Sequence, residues 1–277
     1  MGGRARYLFR PRDAEQLARL VVRARDEGAP VKVLGCGANV LISDDGVDGV
    51  VVRLDQPAFR GVRQKGGRIE TGAGVDLIPF ARRCCLQGLS GLECMAGIPA
   101  TIGGALRMNA GGPRGEFGQV VQEVHVLRPD GQTEIWPHDR LGFGYRHTDL
   151  DDRIVLSVRL ELKEDDPRRV RERFEDNFAQ KERTQPLGEH SAGCVFKNPP
   201  GKSAGALIDQ SGLKGMRCGG AVVSEKHANF IVAREGATAS DVLRLIDLVR
   251  DRVRQTFGTE LEIEIEVWRP TGAGGVV

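Results

Sequence analysis

Apolar and polar residues in the first part of the chain alternate with the periods of one helix and several strands. Asp13 and Gln16 form a capping-box-like start for an amphipathic helix, AEQLARLVVRARDEG, which is expected to end at Gly28. The continuous apolar run VKVLG that follows predicts a buried strand. Further strands are predicted in VLIS (40–43), GVVVRL (49–54), FRGVR and RIETGAG.

A second predicted helix spans 76–87 and is followed by a long glycine-rich stretch, GLSGLECMAGIPATIGGALRMNAGGPRGEFG. This stretch has too many glycines for a regular helix or strand and is too long for an ordinary connection, so we expect a functional loop. After it, VVQEVHVLRPDGQTEIW predicts two strands joined by a turn at 129–131, and the alternating RIVLSVRLELK (153–163) predicts another strand.

The second half of the chain mixes helices and strands. Asp166 and Pro167 resemble the cap and first turn of a helix, which we interpret as a solvated connector. A strand pair in AVVSEKHANFIVA precedes an amphipathic helix that runs from about Ser240 to Gly258. The alternation LEIEIEV at 261–267 predicts a final strand with one apolar and one acidic face.

This order of elements predicts an α+β fold with two domains. The chain has 277 residues, and domains commonly hold roughly 150. We place the first domain at 1–163 and the second at 164–270, with the strand 261–267 packing back towards the first domain. Residues 271–277 are expected to form a disordered tail.

Composition narrows the class of protein. With 40% hydrophobic and 28% charged residues, the chain has the balance of a globular protein with a core, which excludes a disordered or disulfide-stapled one. A net charge of +2 without basic blocks argues against nucleic acid as a partner. The six cysteines form no C-x-x-C pair, so we predict no metal. No signal peptide or membrane span is recognisable, which favours a cytoplasmic protein without a membrane partner.

Two glycine-rich loops are the main candidates for ligand binding. Gly35-Cys36-Gly37-Ala38-Asn39 follows a buried strand, but Val40 and a further strand come next, so the loop is not a dinucleotide-binding G-x-G-x-x-G motif. The second loop, Gly97-Ile98-Pro99-Ala100-Thr101-Ile102-Gly103-Gly104, could cradle a pyrophosphate through backbone amides. Together the loops favour a bound dinucleotide, and the alternative is a pair of structural turns.

Three further segments carry reactive groups, each with an ordinary structural alternative. The loop Tyr145-Arg146-His147-Thr148 suits a carboxylate or phosphate, unless it is a plain surface loop. Cys194 lies near Lys197, which would help a thiolate form, although a lone cysteine is more often a small buried hydrophobe. The ordinary interpretation of the glutamates at 262, 264 and 266 is the solvent-facing side of an amphipathic strand.

Six ordered motifs give the chain a resemblance to a known enzyme family along nearly its whole length. They are LGCGANVLISDDGVDGVVV, GLECMAGIPATIGGALRMNAGG, FGYRHTDL, SAGCVFKNPPGKSAGALIDQSGLKG, GGAVVSEKHANFIV and FGTELEIEIEV. The chain resembles the UDP-N-acetylenolpyruvoylglucosamine reductase (MurB) family of flavoenzymes. The short run between YRHT and SAGC lacks room for a tyrosine-bearing insertion, so the resemblance is to the shorter, second type.

The resemblance implies an FAD-binding domain of the vanillyl-alcohol-oxidase (PCMH) type with two α+β lobes, followed by an α+β substrate-binding domain. It also implies that the two glycine-rich loops bind the cofactor. The implied FAD-binding residues are Gly35, Cys36, Gly37, Ala38, Asn39, Val40, Gly97, Ile98, Pro99, Thr101, Ile102, Gly103, Gly104, Asn109, Ala110 and Gly111.

In such enzymes NADPH reduces FAD, and flavin N5 then passes hydride to the vinyl carbon of the enolpyruvyl substrate. The charge that develops on the substrate carboxylate needs a fixed cation and a protonated carboxyl group, and Arg146 and Glu264 match those family positions. Cys194 stands where the family has a proton-donating serine. A thiol, with a pKa of about 8.5, is a stronger acid than a hydroxyl, so we predict that activity is kept.

The implied partner is a nucleotide-sugar substrate, with Tyr145, Arg146, Lys197 and Asn198 at the substrate-binding positions. The protein is expected to be monomeric or weakly associated. Two other functions remain open: an FAD-dependent oxidase with the same fold, and a catalytically inactive homologue that keeps the fold.

Overall fold

The computed structural model describes residues 2–270 and contains six α-helices and eighteen strands in that range. The helices are α1 Ala14–Asp26, α2 Leu77–Leu86, α3 Ile102–Arg107, α4 Pro167–Thr184, α5 Ala204–Gln210 and α6 Ala239–Phe257. The strands are β1 Ala5–Phe9, β2 Val31–Val33, β3 Val40–Ile42, β4 Val47–Val52, β5 Val62–Lys65, β6 Arg68–Gly72, β7 Leu89–Ser90, β8 Gly111–Gly112, β9 Gly115–Glu116, β10 Val121–Leu127, β11 Thr133–Pro137, β12 Ile154–Glu161, β13 Lys163–Glu164, β14 Ser191–Cys194, β15 Arg217–Cys218, β16 Ala221–Val223, β17 Phe230–Ala233 and β18 Glu266–Trp268. The predicted α+β class is confirmed.

The chain divides into two compact units. The larger unit comprises Tyr7–Cys36 and Gly49–Gln180. Its centre is a five-stranded antiparallel sheet in the order β11-β10-β12-β6-β5, and a smaller sheet follows the order β1-β4-β2. Apolar side chains of α1, α2, α3 and the sheets form one continuous core. That burial of apolar area is the main stabilising contribution to this unit.

The smaller unit comprises Met1–Arg6, Gly37–Asp48 and Lys181–Val277. Its four-stranded antiparallel sheet follows the order β14-β17-β16-β15, and α5 and α6 pack on a separate apolar core. Strand β18 pairs in parallel with β3, so Glu266, Val267 and Trp268 lie beside Val40–Ile42. This pairing joins two segments that are more than 200 positions apart in the sequence.

Local capping signals located the long helices well. The Asp13 carboxylate accepts a hydrogen bond from the Gln16 amide at 2.8 Å, as the capping-box-like start of α1 predicted. Helix α6 is followed by Gly258 in the left-handed region (φ 61°), the backbone conformation that glycine adopts without strain. These helix ends follow from residues close in sequence, which is why the sequence identifies them.

The glycine-rich stretch is not wholly a loop, and the prediction that it holds no helix was wrong. Thr101 caps α3, and the buried side chains of Ile102, Ala105 and Leu106 anchor this short helix in the core. Gly103 lies where a Cβ atom would come within 3.1 Å of the Ala73 Cβ. The burial of these apolar side chains outweighs the low helix propensity of glycine, and the missing side chain of Gly103 allows a close approach to Ala73.

The predicted strand at 261–267 is also corrected. Regular pairing is confined to β18, while further upstream Ile263 forms an isolated bridge with Phe196. The segment changes partner between these two points, from the chain around Phe196 to β3. A regular alternation of residue types therefore does not ensure one continuous strand.

The boundary between the units also lies elsewhere than the predicted 163/164. Most of α4 belongs to the larger unit, because Val170 and Phe174 are buried in its core, so this helix is more than a solvated connector. The assignment of an FAD-binding role to one domain and a substrate-binding role to the other stays a prediction. The predicted tail 271–277 lies outside the described residues. Within residues 2–270, no helix is both long and apolar enough to cross a membrane.

Candidate active site

The two glycine-rich loops meet within the larger unit. A Cβ atom added to Gly35 would lie only 2.8 Å from the Thr101 hydroxyl oxygen, so a side chain here would push the first loop away from the start of α3. Cys36, the next residue, is exposed. The two loops are therefore closely packed at this point, where Gly35 leaves no room for a side chain.

Several amides of the second loop are already committed inside the protein. The Thr101 hydroxyl accepts one of them, and backbone carbonyls accept the others, at distances between 2.8 and 3.2 Å. The donors are the amides of Ile98, Ile102, Gly103 and Gly104. These four amides are not available to cradle a pyrophosphate, so contacts between these residues and a cofactor must come from other atoms.

A tight turn in the larger unit carries the candidate substrate cation. Gly144 and His147 exchange two backbone hydrogen bonds of 3.0 and 3.2 Å, which leaves Tyr145 and Arg146 at the tip of the turn. Arg146 has a φ of 56°, a left-handed conformation that is unusual for a residue other than glycine. Such strain is typical of functional sites, because packing elsewhere must hold it in place.

The Arg146 side chain is half-buried and directed by two neighbours. Its Nη2 donates to the Gly111 carbonyl at 3.1 Å, and its guanidinium carbon lies 5.0 Å from the centre of the Tyr145 ring. Tyr145 itself is exposed. The structure therefore brings Tyr145 and Arg146 together with Gly111, which the sequence placed among the FAD-binding residues. Ala110, also in that set, donates its amide to the Ala105 carbonyl at 2.8 Å.

In the smaller unit, the chain around Cys194 is held on both sides by backbone hydrogen bonds. On one side Cys194 is paired with Phe230, and the Val195 amide donates to the Asn229 carbonyl at 2.9 Å. On the other side the Glu264 amide donates to the Val195 carbonyl at 2.8 Å. The predicted proton donor and the predicted carboxyl group thus lie on directly bonded segments.

Part of the first glycine-rich loop lies against the same segments. The Asn39 side-chain amide donates to the Glu264 carbonyl at 3.3 Å, and its own carbonyl accepts from the Glu266 amide at 2.9 Å. A Cβ atom on Gly193 would lie 3.3 Å from the Ala38 carbonyl oxygen. Residues 37–40, 191–198 and 262–266 are therefore neighbours within the smaller unit.

The first two glutamates of the row, Glu262 and Glu264, lie in different environments. Glu262 is exposed and forms an ion pair with Lys197, with Nζ and Oε1 2.5 Å apart. Glu264 is half-buried in the segment that bonds to both Asn39 and Val195. This difference favours Glu264 as the functional carboxyl group, which the alternating sequence alone did not decide.

Asn198, another predicted substrate-binding residue, also has a structural role. The Asn198 side-chain oxygen accepts a hydrogen bond from the Ala204 amide at 3.0 Å, at the start of α5. Asn198 is otherwise exposed. Its predicted role at the substrate must therefore be compatible with this cap.

Asn229 and Asp44 tie distant segments of the smaller unit together, and no sequence pattern indicated either residue. The buried Asn229 side chain accepts from the Phe196 amide at 2.9 Å and donates to the Phe196 carbonyl at 2.8 Å. The Asp44 carboxylate accepts from the Ala239 and Ser240 amides at the start of α6. These bonds span 33 and about 195 positions of sequence, so no local pattern reveals them.

Burial raises the pKa of three cysteine thiols in the larger unit. It raises the pKa of Cys84 to about 11 and that of Cys85 to about 12, so both thiols stay protonated at neutral pH. Burial also raises the pKa of Cys36. Among residues 2–270 no group of three or more His, Cys, Asp or Glu side chains is arranged to hold a metal ion.

Comparison with known proteins identifies the family. The C-terminal domain model of UDP-N-acetylenolpyruvoylglucosamine reductase matches residues 185–268, and an FAD binding domain model matches residues 5–135. The reductase of Moorella thermoacetica is 47% identical over 269 residues, which are 97% of this chain and 88% of that protein. The chain belongs to the UDP-N-acetylenolpyruvoylglucosamine reductase family. Its members are FAD-containing oxidoreductases.

Two further members support this assignment. Reductase 2 of Symbiobacterium thermophilum is 43% identical over 97% of the chain and 87% of its own length. The crystal structure of the reductase from Thermus caldophilus superposes with a TM-score of 0.83 at 41% identity, covering 95% of this chain and 92% of that one. The resemblance inferred from the six motifs and the FAD-binding fold class are both confirmed.

Proposed function

We propose that the protein reduces UDP-N-acetylglucosamine enolpyruvate to UDP-N-acetylmuramate, using bound FAD and NADPH as the reductant. Membership of the reductase family already makes it an FAD-containing enzyme of peptidoglycan precursor synthesis. The observation that carries the more detailed proposal is the 47% identity along 97% of the chain to a named reductase. The reductant, the residue roles and the order of steps are our inference.

The cofactor-binding part of the proposal rests on the contact between the two loops at Gly35 and Thr101 and on Ala110 and Gly111 beyond α3. Close approach of bare backbone suits the flat and elongated shape of a dinucleotide. Bound FAD supplies the hydride that reduces the substrate double bond. The role of the protein is to orient the two reactants and to stabilise the charge that develops.

Arg146 and Glu264 are proposed to act on the enolpyruvyl carboxylate. A guanidinium group presents paired donors that match a carboxylate, and its stabilisation grows as negative charge builds during the reaction. In its protonated form Glu264 donates a hydrogen bond to the same developing charge. Tyr145, Lys197 and Asn198 are proposed to hold the rest of the substrate, where Lys197 would exchange its ion pair with Glu262 for a substrate anion.

Cys194 is proposed to give a proton from its thiol to the substrate carbon next to the carboxylate. The result is a saturated lactyl ether and a thiolate that must regain its proton before the next turnover. Backbone bonds on both sides of Val195 keep the thiol-bearing segment in a defined position, as proton transfer in a single geometry requires. We also expect the enzyme to be cytoplasmic and monomeric or weakly associated.

The test separates the two half-reactions. Purified protein should show flavin absorption that NADPH bleaches without air, and the reduced protein should regain colour when the enolpyruvyl nucleotide is added. Cys194→Ala should bleach normally but recover its colour at least about 100-fold more slowly, because it lacks the proton donor, whereas Cys194→Ser should keep part of its activity.

The matched control is Cys218→Ala, which removes a half-buried thiol from β15 of the same unit and should behave like the wild type. Normal turnover by Cys194→Ala would contradict the role of Cys194. Protein that takes up no FAD, or whose reduced flavin is reoxidised by air but not by the nucleotide, would contradict the proposed function as a whole.

A further inference from the structure

Asn109 is a buried polar residue just after α3, within the long glycine-rich stretch 88–118. It is 1% exposed and has a φ of 39°, so its backbone is in the left-handed region. Asparagine tolerates this conformation better than most residues other than glycine. A buried carboxamide must have its hydrogen-bonding groups satisfied, and the partners it uses indicate its function.

The Asn109 side chain bonds to three points of the protein. Its Oδ1 accepts from the Gly118 amide at 2.9 Å. Its Nδ2 donates to Glu116 Oε2 at 2.8 Å and to the Gly144 carbonyl at 3.0 Å. A carboxamide has only two N–H donors, so both are engaged within the larger unit. The side chain is therefore committed to protein contacts, although its position in the sequence suggested a contact with FAD.

One of those contacts fixes the turn that carries Arg146. Gly144 is the first residue of that turn, and its hydrogen-bonding partner within the turn is His147. The far side of the loop is anchored by the Thr148 hydroxyl, which donates to the Leu106 carbonyl at 2.6 Å. The two partners are Leu106 in α3 and Asn109 just after it, and both belong to the glycine-rich stretch 88–118. The turn is therefore bonded to this stretch at two places.

The Arg146 side chain bonds to the same glycine-rich stretch. Its Nη2 donates to the carbonyl of Gly111, two residues after Asn109. A Cβ atom on Gly111 would lie 2.4 Å from the Gly115 carbonyl oxygen, so the chain is closely packed where that carbonyl is presented. Asn109 therefore sets the backbone of the turn, while its near neighbour sets the direction of the guanidinium group.

We infer that Asn109 is a positioning residue for Arg146. Its carboxamide holds the strained 144–147 turn in place, so that the guanidinium group meets the substrate carboxylate in one orientation. The kinetic consequence of this inference rests on the proposed function, in which Arg146 binds that carboxylate. Misplacement of such a group by about 1 Å typically costs about 100-fold in rate.

The test uses two substitutions that remove different bonds. Asn109→Asp is nearly isosteric and keeps the acceptor for Gly118, but it loses both donations and places a carboxylate against Glu116. Asn109→Gly suits the left-handed backbone and removes all three bonds, which provides a second variant if the aspartate fails to fold. The matched control is Asn177→Asp, which alters another buried asparagine of the larger unit, bonded to Arg114 and Arg173.

The first measurement is hydrogen exchange of the FAD-loaded protein, followed in peptides that cover 142–149. Faster exchange in both Asn109 variants, but not in Asn177→Asp, is the expected result, because the bond that holds Gly144 is lost. Unchanged exchange at 142–149 would overturn the inference. This measurement does not depend on the reaction, so a failure of the proposed function would be recognised separately, from the wild type.

The second measurement is a double-mutant cycle with Arg146→Lys. Asn109→Gly alone should lower kcat/KM for the enolpyruvyl substrate by about 10- to 100-fold, with normal flavin content and normal reduction by NADPH. In the Arg146→Lys background the same change should cost less than about 3-fold, because its effect passes through Arg146. Multiplicative losses, or equal losses in both half-reactions together with loss of flavin, would instead assign Asn109 a direct structural or cofactor role.

Discussion

The turn that carries Arg146 and the strand that carries Cys194 are held in place by different means. The turn contains two mutual backbone hydrogen bonds, and side chains, chiefly that of Asn109, tie it to its surroundings. The strand has backbone partners on both flanks, at Asn229 and at Glu264. A single substitution can remove a side-chain tie, whereas a backbone ladder survives most substitutions. The position of the functional group should therefore depend more on single neighbouring side chains at the turn than at the strand.

The largest effect is expected at Glu264, which lies on the flank of the strand. Glu264→Gln removes the carboxyl proton and should lower kcat by about 1,000-fold, as loss of a charge-stabilising group does. Glu262→Gln is the comparison variant, because that exposed glutamate pairs with Lys197 and should affect KM for the substrate rather than kcat. The measurement is the steady-state kcat of both variants relative to that of the wild type. A larger loss in Glu262→Gln than in Glu264→Gln would show that Glu262 is the functional glutamate instead.

Arg146 tests the turn directly. Arg146→Lys keeps the charge and the backbone demand but loses the planar pair of donors, and kcat/KM should fall by about 100-fold. Arg107→Lys provides the comparison, since its exposed guanidinium donates to the Asp151 carbonyl in the same unit. Both rates are measured with reduced protein and the enolpyruvyl nucleotide. A wild-type rate in Arg146→Lys would mean that charge alone is sufficient there.

Asn229 tests the strand. Asn229→Ala leaves the buried amide and carbonyl of Phe196 without their side-chain partners and should lower the free energy of unfolding by about 2 to 4 kcal/mol. The rate per folded molecule should change little, because the backbone bonds at Val195 remain. Denaturant unfolding and active-site titration measure the two quantities. Ser211→Ala, which loses one hydroxyl bond to the Leu207 carbonyl, serves as the milder control.

The smallest effect is expected at Asp44, a side-chain tie in the smaller unit. The bond from the Ser240 hydroxyl lowers the pKa of Asp44, and the amides of Ala239 and Ser240 add to this while burial opposes it. A lowered pKa means that the ionised form stabilises the fold at neutral pH and that this contribution is lost as the pH falls through the folded-state value. Asp44→Asn should therefore cost about 1 kcal/mol at pH 7.

The difference between wild type and Asp44→Asn should shrink once the pH drops below about 4, the ordinary aspartate value. Unfolding curves at several pH values measure it, and Asp45→Asn controls for the loss of one exposed negative charge next to this site. A difference that stayed constant down to the acid transition would show that the cap does not depend on ionisation.

The parts of the fold set by nearby residues were predictable. The ends of α1 and α6 follow from Asp13, Gln16 and Gly258, and all three behave as the sequence indicated. The errors occur where distant contacts decide. Helix α3 forms among glycines because Ile102, Ala105 and Leu106 are buried in the core. The strand predicted at 261–267 changes partner part-way along.

The candidate site shows the same division. The motifs located Arg146, Cys194 and Glu264 through resemblance, and the segments of Cys194 and Glu264 are directly bonded within the smaller unit. The partners of Asn109 and Asn229 could not be predicted, because each side chain bonds across more than 30 positions. Nor could the sequence show that four amides of the second glycine-rich loop are already occupied.

The left-handed backbone of Arg146 places heat resistance in opposition to the proposed catalytic role of this residue. Arginine there costs about 1 kcal/mol relative to glycine, which adopts this conformation freely. A laboratory selection for thermal tolerance alone would enrich R146G, while a selection for growth that depends on the enzyme would remove it.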